Sequence, residues 1–254
     1  MALYMNGQEI SQSSGVPISG APISGATEPY IEEIYNSDGQ LISANMHGYD
    51  AIRSYMFRDC SNLAVTSLPS GITSIGTNAF YGCTNLALTS LPNGITSIGT
   101  NAFQNCTKLA LTSLPNGITS IGSYTFYGCT NLALTSLPSG ITSIGIGAFL
   151  NCSKLALTSL PSGITSIGIS AFENCPKLAL TSLPSGLTSI GNNAFGKCTG
   201  LTSITFTGTP TSIKNNAFSN CTNLTTINVP WAEGAVANAP WGATNATIHY
   251  GYTG

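Results

Sequence analysis

Residues 79–99 read AFYGCTNLALTSLPNGITSIG. The string returns, barely altered, along most of the chain. Each return carries a Phe and, three residues later, a Cys. The phenylalanines are Phe57, Phe80, Phe103, Phe126, Phe149, Phe172, Phe195 and Phe218. The cysteines are Cys60, Cys83, Cys106, Cys129, Cys152, Cys175, Cys198 and Cys221, and every interval is 23 residues. A fixed period in the twenties marks a solenoid. Each unit is too short to bury its own apolar side chains, so neighbours stack and share one core.

Within the unit, alternation and β-branching around Thr89, Ser90 and Leu91 predict a short strand. Pro92 cannot donate to a ladder and ends it. Gly94 turns the chain, Ile95 to Ile98 forms a second extended stretch, and Gly99 turns again. Residues 101–106 are expected to make a single helical or 3-10 turn. Like strands stack in parallel about 4.8 Å apart, which gives the repeated part a length of roughly 40 Å. Phe80, Cys83, Leu86, Leu91, Ile95 and Ile98 are expected to face inward, with Cys83 as filler between rings. Tyr81 and Gly82 are expected outside.

The phase runs beyond the obvious repeats at 57–225. Adding one period to Phe218 reaches Trp241, to Ile213 reaches Val236, and to Ile227 reaches Tyr250. Residues 226–254 therefore read as a degenerate last repeat and C-terminal cap, with Trp241 closing the core. Residues 30–56 read as an N-terminal β cap and partial first repeat. In it, YIEEIYNSDGQLISA suggests two strands joined at Ser37, Asp38 and Gly39. Such a cap keeps an open solenoid end from pairing with other chains. Residues 1–29 read as an N-terminal arm and linker, with PISGA twice within 15–26. The arm is a candidate for self-association.

Composition narrows the function. Of 254 residues only 6% are charged, and the net charge is -2. Solubility rests on Ser, Thr, Asn and Gly, and no field exists to draw nucleic acid or an anionic membrane. Seven of the nine acids precede residue 60, and all five lysines follow it. No window is long and apolar enough to span a bilayer. MALYMNGQEISQSS lacks the basic and apolar regions of a signal peptide, so free secretion is not expected.

The unit C-x-x-L…LPxGITSIGxxAFxxC resembles the BspA-type (Treponema-type) leucine-rich repeats of bacterial surface proteins, over about residues 50–225. The resemblance implies a right-handed leucine-rich-repeat solenoid, short parallel strands capped at both ends, and a binding or adhesive role. The flanks IEEIYNSDGQLISANMHGYDAIRSYMF and VPWAEGAVANAPWGATNATI resemble those of such repeats in phage and prophage proteins of gut bacteria. That implies an extracellular place on a phage particle. A cell-surface place after removal of a signal, or a cytoplasmic one, stays open. One departure stands out. The family carries an aliphatic residue six after Cys, as at Ile204 and Ile227. Six units have Thr there instead (Thr66, Thr89, Thr112, Thr135, Thr158 and Thr181), which points to a shifted or shortened strand.

Chemistry finds little support. Structural zinc needs four converging ligands, whereas these cysteines form a line with no local partner. Stacked cysteines lie within disulfide range, but parallel Cβ vectors favour the wrong torsion. Buried free thiols acting as small hydrophobes fit better. His47 and His249 have no nominated acid or nucleophile beside them. No catalytic or nucleotide fingerprint occurs. The chain is therefore expected to be no enzyme, with no catalytic residue, metal or cofactor.

What remains is surface. Variation between units concentrates in G-x-x-A-F-x-x-C-x-x, a window expected to face solvent. Tyr81, Tyr124 and Tyr127, with the column Lys108, Lys154 and Lys177, form the candidate patch for a protein or glycan on a cell surface. Drift on an unconstrained face is the plainer reading of the same variation. Two other functions stay open: a spacer whose ends make the contacts, and an ice-binding array built on the Thr73, Thr96, Thr119, Thr142, Thr165 and Thr188 column.

Overall fold

The computed structural model describes residues 3–5, 8–10 and 29–253. The linker expected at 15–26 lies outside the described residues. At the N-terminus β1 (Leu3–Met5) pairs antiparallel with β2 (Gln8–Ile10).

From residue 50 onward the chain is a β-solenoid of about nine turns, with one turn per repeat. One side carries a parallel ladder of two-residue strands. These are β5 (Ala51–Ile52), β6 (Ser74–Ile75), β7 (Ser97–Ile98), β8 (Ser120–Ile121), β9 (Ser143–Ile144) and β10 (Ser166–Ile167). After β11 (Ser182–Leu183), which lies on another side, the ladder continues in β12 (Ser189–Ile190) and β14 (Ser212–Ile213). Each Ile is buried and opposes an Ile one unit away, except that Ile98 and Ile121 do not pair with each other. The Gly after each Ile lets the turns close up. A Cβ on Gly76, Gly99, Gly145, Gly168 or Gly191 would lie 2.4–2.7 Å from backbone of the neighbouring turn.

The strand expected at Thr89–Leu91 does not form there. In the units with Thr six after Cys, the Thr is exposed and the Val or Leu before it is buried. Between two such units that side keeps a single backbone hydrogen bond, such as Ala110 N–H to the Leu88 carbonyl at 3.0 Å, and only the Thr181 unit, next to Ile204, forms a strand there, β11. Where Ile occupies the slot, four-residue strands appear: β13 (Ser203–Phe206) and β15 (Thr226–Val229), with Ile204 and Ile227 buried. β11, β13, β15 and β16 (Thr247–Tyr250) form one parallel sheet.

The helical or 3-10 turn expected after Gly is not a helix. In the first full unit, Ala79, Tyr81 and Cys83 donate N–H to carbonyls three residues back. Asn78, Phe80 and Gly82 donate instead to Thr100, Ala102 and Gln104 of the next turn. Alternate donors leave the helix pattern because the residues five and one before Cys adopt left-handed backbone. Tyr55, Asn78, Asn101, Tyr124, Gly147, Ser170 and Asn193 fill the first slot. Asp59, Gly82, Asn105, Gly128, Asn151, Asn174, Lys197 and Asn220 fill the second. Asn, Asp and Gly dominate both, as left-handed positions require.

The eight phenylalanines stack face to face, with centroids 5.2–5.6 Å apart and planes within 13°. The cysteines are not merely filler. From Cys83 to Cys221, each Sγ–H donates to the carbonyl of the Phe one turn earlier, at 2.9–3.1 Å. Seven are buried and Cys60 is partly exposed; all eight are free thiols.

β3 (Tyr30–Tyr35) and β4 (Leu41–His47) form an antiparallel hairpin. Asn36 closes its turn by accepting N–H bonds from Asp38 and Gln40. The hairpin joins the first turn through Ala64 N–H to the Ile42 carbonyl, and it buries Leu41, Ala44 and Met46. At the far end Trp241 is fully buried, in contact with Phe206 and Trp231 rather than in the phenyl stack. The expected match of Tyr250 with Ile227 is wrong by two residues. Ile248 opposes Ile227 and Tyr250 opposes Val229, because the last turn is shorter than a full period.

Candidate recognition surface

The variable window does not face solvent throughout. Asn78, Gly147 and Gly196 are buried, and the slot five before Cys answers to backbone conformation. The slot six before Cys does lie at the surface, and the slot two before Cys is half-buried from Tyr81 to Glu173 and buried at Gly196. In the former, Ser54, Thr77, Thr100 and Ser123 give way to Ile146 and Ile169, 41% and 50% exposed. Beside them Tyr124 is 38% exposed and meets Tyr127 edge-on at 6.2 Å. Its ring lies over Gly147, where a Cβ would come within 2.5 Å of Cδ1 and Cε1. Tyr127 and Leu150, half-buried, occupy the slot two before Cys.

These residues form an apolar patch over adjacent turns. Next to it a shallow groove of about 400 Å³ runs along the ladder, lined by Ser120, Ser123, Ser143, Ile146, Ser166 and Ser189 among others. Ile146 belongs to both. The isoleucines were visible as the only apolar side chains in a polar column. The tyrosines drew attention because of their type.

Tyr81 takes no part in this patch. It is half-buried, and the Arg58 guanidinium sits 5.1 Å from its ring. Lys108, Lys154 and Lys177 are exposed, in a column two after Cys. Among the described residues they make no ion pair. Lys197, one before Cys, pairs with Glu173 at 3.2 Å.

Among the described residues no three His, Cys, Asp or Glu side chains converge to hold a metal. His47 stacks on Tyr30 at 4.5 Å and lies 3.8 Å from Glu32 on the cap. Burial pushes the cysteine thiols up: Cys60 and Cys221 to about 11, Cys175 to about 12, and the other five upward as well. A thiol that holds its proton is a poor nucleophile. The Thr column next to the ladder has its hydroxyls engaged at every position but Thr119. Thr73, Thr96, Thr142, Thr165, Thr188 and Thr211 each donate to a carbonyl of the preceding turn, at 2.8–3.4 Å. It is not a free array of donors for ice. No helix of the described residues is long and apolar enough to cross a membrane.

The family model described as the BspA type leucine rich repeat region matches residues 50–179 and 165–234, in six copies. The leucine-rich repeat protein TpLRR of T. pallidum is 28% identical, over 76% of this chain and 87% of that one, with a TM-score of 0.57. A leucine-rich repeat protein from Bacteroides ovatus is 18% identical over 87% and 75%, with a TM-score of 0.44. A leucine rich cell surface protein from Faecalibacterium prausnitzii is 20% identical over 91% and 96%, with a TM-score of 0.34. Comparison with curated proteins gives no significant match.

Proposed function

The chain belongs to the BspA-type leucine-rich repeat family, and from that premise we propose that it is a non-enzymatic recognition module. It binds a partner on a bacterial surface through the flank that carries Tyr124, Tyr127, Ile146 and Ile169. The carrying observation is that patch, apolar side chains gathered over adjacent turns, with Ile146 and Ile169 in a column that is Ser, Thr or Asn in the other repeats. Exposed apolar side chains that cluster mark interaction sites, whereas scattered ones do not. Ile146 and Ile169 offer no hydrogen bond, which favours a protein over a glycan. Lys108, Lys154 and Lys177 would then tune approach and orientation. The setting is the surface of a cell or of a phage particle.

The test is binding of the labelled full chain to a panel of bacterial cells and to a bacterial glycan array. Cells are expected to bind it. The variant Tyr124→Ser, Ile146→Ser, Ile169→Ser is expected to lose at least about tenfold in affinity, while Tyr81→Ala keeps it. Equal binding by the triple variant would sink this surface.

A spacer function has one observation in its favour, the phenyl stack that runs unbroken through eight turns. In that case residues 1–30 make the joint to the carrier. A pull-down in which deletion of those residues abolishes capture, while the triple variant does not, would select it.

A further inference from the structure

We propose that the solenoid carries one built-in joint, between the turns of β7 and β8, where the ladder side opens while the other two sides hold. The ladder is continuous from β5 to β7 and again from β8 to β14, but β7 and β8 do not pair. At the other turn-to-turn contacts from β5 to β14, a Thr N–H and the N–H two after Ser donate across the gap. Examples are Thr142 to Thr119 and Gly145 to Ile121, at 2.9 and 2.8 Å. Thr119 and Gly122 have no such bonds to Thr96 and Ile98, and the Thr119 hydroxyl does not reach across either.

The cause is a single side chain. The residue before Phe is Ala in six of the seven turns from Phe80 to Phe218, and Thr125 in the seventh. Thr125 is fully buried, and its Oγ1 donates toward the Gly122 carbonyl at 3.0 Å and the Gly99 carbonyl at 3.4 Å. The hydroxyl therefore sits between the two glycines that would otherwise close the ladder. A Cβ on Gly122 would find the nearest backbone of the neighbouring turn, Thr100 N, at 3.7 Å, against 2.4–2.7 Å at five other ladder glycines. Ile98 is 8% exposed, whereas its equivalents stand at 1–2%. Ser97 and Ser120 are exposed, while Ser74, Ser143, Ser166, Ser189 and Ser212 are half-buried.

The other two sides are intact. Asn101, Phe103 and Asn105 donate to Ser123, Thr125 and Tyr127, Ala110 to Leu88, and Cys129 Sγ to Phe103. The phenyl stack continues through Phe103 and Phe126 at 5.6 Å. Two closed sides and one open side make a hinge, not a break. The apolar patch sits wholly on the C-terminal block, and Tyr81 on the other.

Hydrogen exchange followed by NMR tests the opening. The Thr119 and Gly122 amides are expected to exchange about 100-fold faster than those of Thr142 and Gly145, since no partner protects them. Thr125→Ala restores the Ala of the repeat and is expected to bring both amides to the protection of their equivalents. Ala148→Thr is expected to expose Thr142 and Gly145 instead. Equal protection in the wild-type chain, or no response to Thr125→Ala, would overturn the joint. Bending is read from spin labels in a Cys60→Ala background. The pair Ser74→Cys and Ser143→Cys straddles the joint. The pair Ser143→Cys and Ser212→Cys spans the same number of turns within one block. A broader distance distribution for the first pair, narrowed by Thr125→Ala, is expected. Equal widths would refute a joint.

Discussion

Two residue types carry more than their composition suggests. The asparagines and glycines before Ala-Phe and before Cys hold the chain in left-handed backbone, twice per turn. A bulky residue there costs of order 1–3 kcal/mol unless neighbours hold it in place. Tyr124 is such a residue, and the bare Cα of Gly147 makes room for its ring. Gly147→Asn is expected to destabilise the protein, although Asn fills that slot in left-handed backbone in three other turns. Paired with Tyr124→Asn it should be close to neutral. A double-mutant cycle by urea denaturation should give a coupling of at least about 1 kcal/mol; additivity would mean that the ring and Gly147 do not interact.

The cysteines supply the second lone pair of the Phe carbonyls from Phe57 to Phe195 with a donor. The carbonyl already accepts the Cys N–H of its own turn, as Phe80 does from Cys83 at 3.1 Å. Cys129→Ala removes that donor and leaves a small void, at a cost of about 1–3 kcal/mol. Thiol reagents at neutral pH are expected to modify Cys60 and to leave the seven buried cysteines until unfolding. The same burial sets a pH limit. Below pH 9 the thiols are protonated in both states, so stability is undiminished. Above it, unfolded thiols ionise at their ordinary value near 9, while the folded ones resist, Cys175 to about 12. The unfolded state then binds fewer protons, and stability falls as pH rises from 9 toward 12. Thermal denaturation across pH 7–11 should show the decline, and a flat profile would mean that the thiols are not held protonated.

At the scale of elements, the period was plain in the sequence because stacking forces every turn to repeat its buried residues. The choice of strand was not. Thr89-Ser90-Leu91 and Thr96-Ser97-Ile98 share one local pattern, and only the residue after each separates them. Pro92 has no N–H to give a ladder, whereas Gly99 lets backbones close to bonding distance. The same logic predicts substitutions. Gly168→Ala drives a Cβ to 2.6 Å from Gly145 backbone and is expected to cost several kcal/mol, on the order of an overpacked core. Gly122→Ala meets the Thr125 hydroxyl at 3.2 Å and no backbone nearer than 3.7 Å, and should cost clearly less. Equal losses of melting temperature would contradict the difference in spacing. Thr125 itself was legible as a substitution in the Ala column. Its effect was not, because that depends on two glycine carbonyls brought together only by folding.

Over the whole molecule, stability is close to a sum of turns and nearest-neighbour contacts. Phe149→Ala, with stacked rings on both sides, is expected to cost about 3–5 kcal/mol. Phe57→Ala, stacked on one side only, should cost less; the comparison needs two denaturation curves. The patch over Tyr124, Ile146 and Ile169 was half-legible. The variable slots could be read, but which of them are surface depended on left-handed backbone that no side-chain pattern announces.

One turn per 23 residues also fixes how the molecule behaves under load. Pulled from its ends, such a stack peels one turn at a time, and each released turn lengthens the tether by about 80 Å. Force–extension traces should therefore be a staircase of equal steps. Such a tether would lengthen gradually under drag instead of letting go at once.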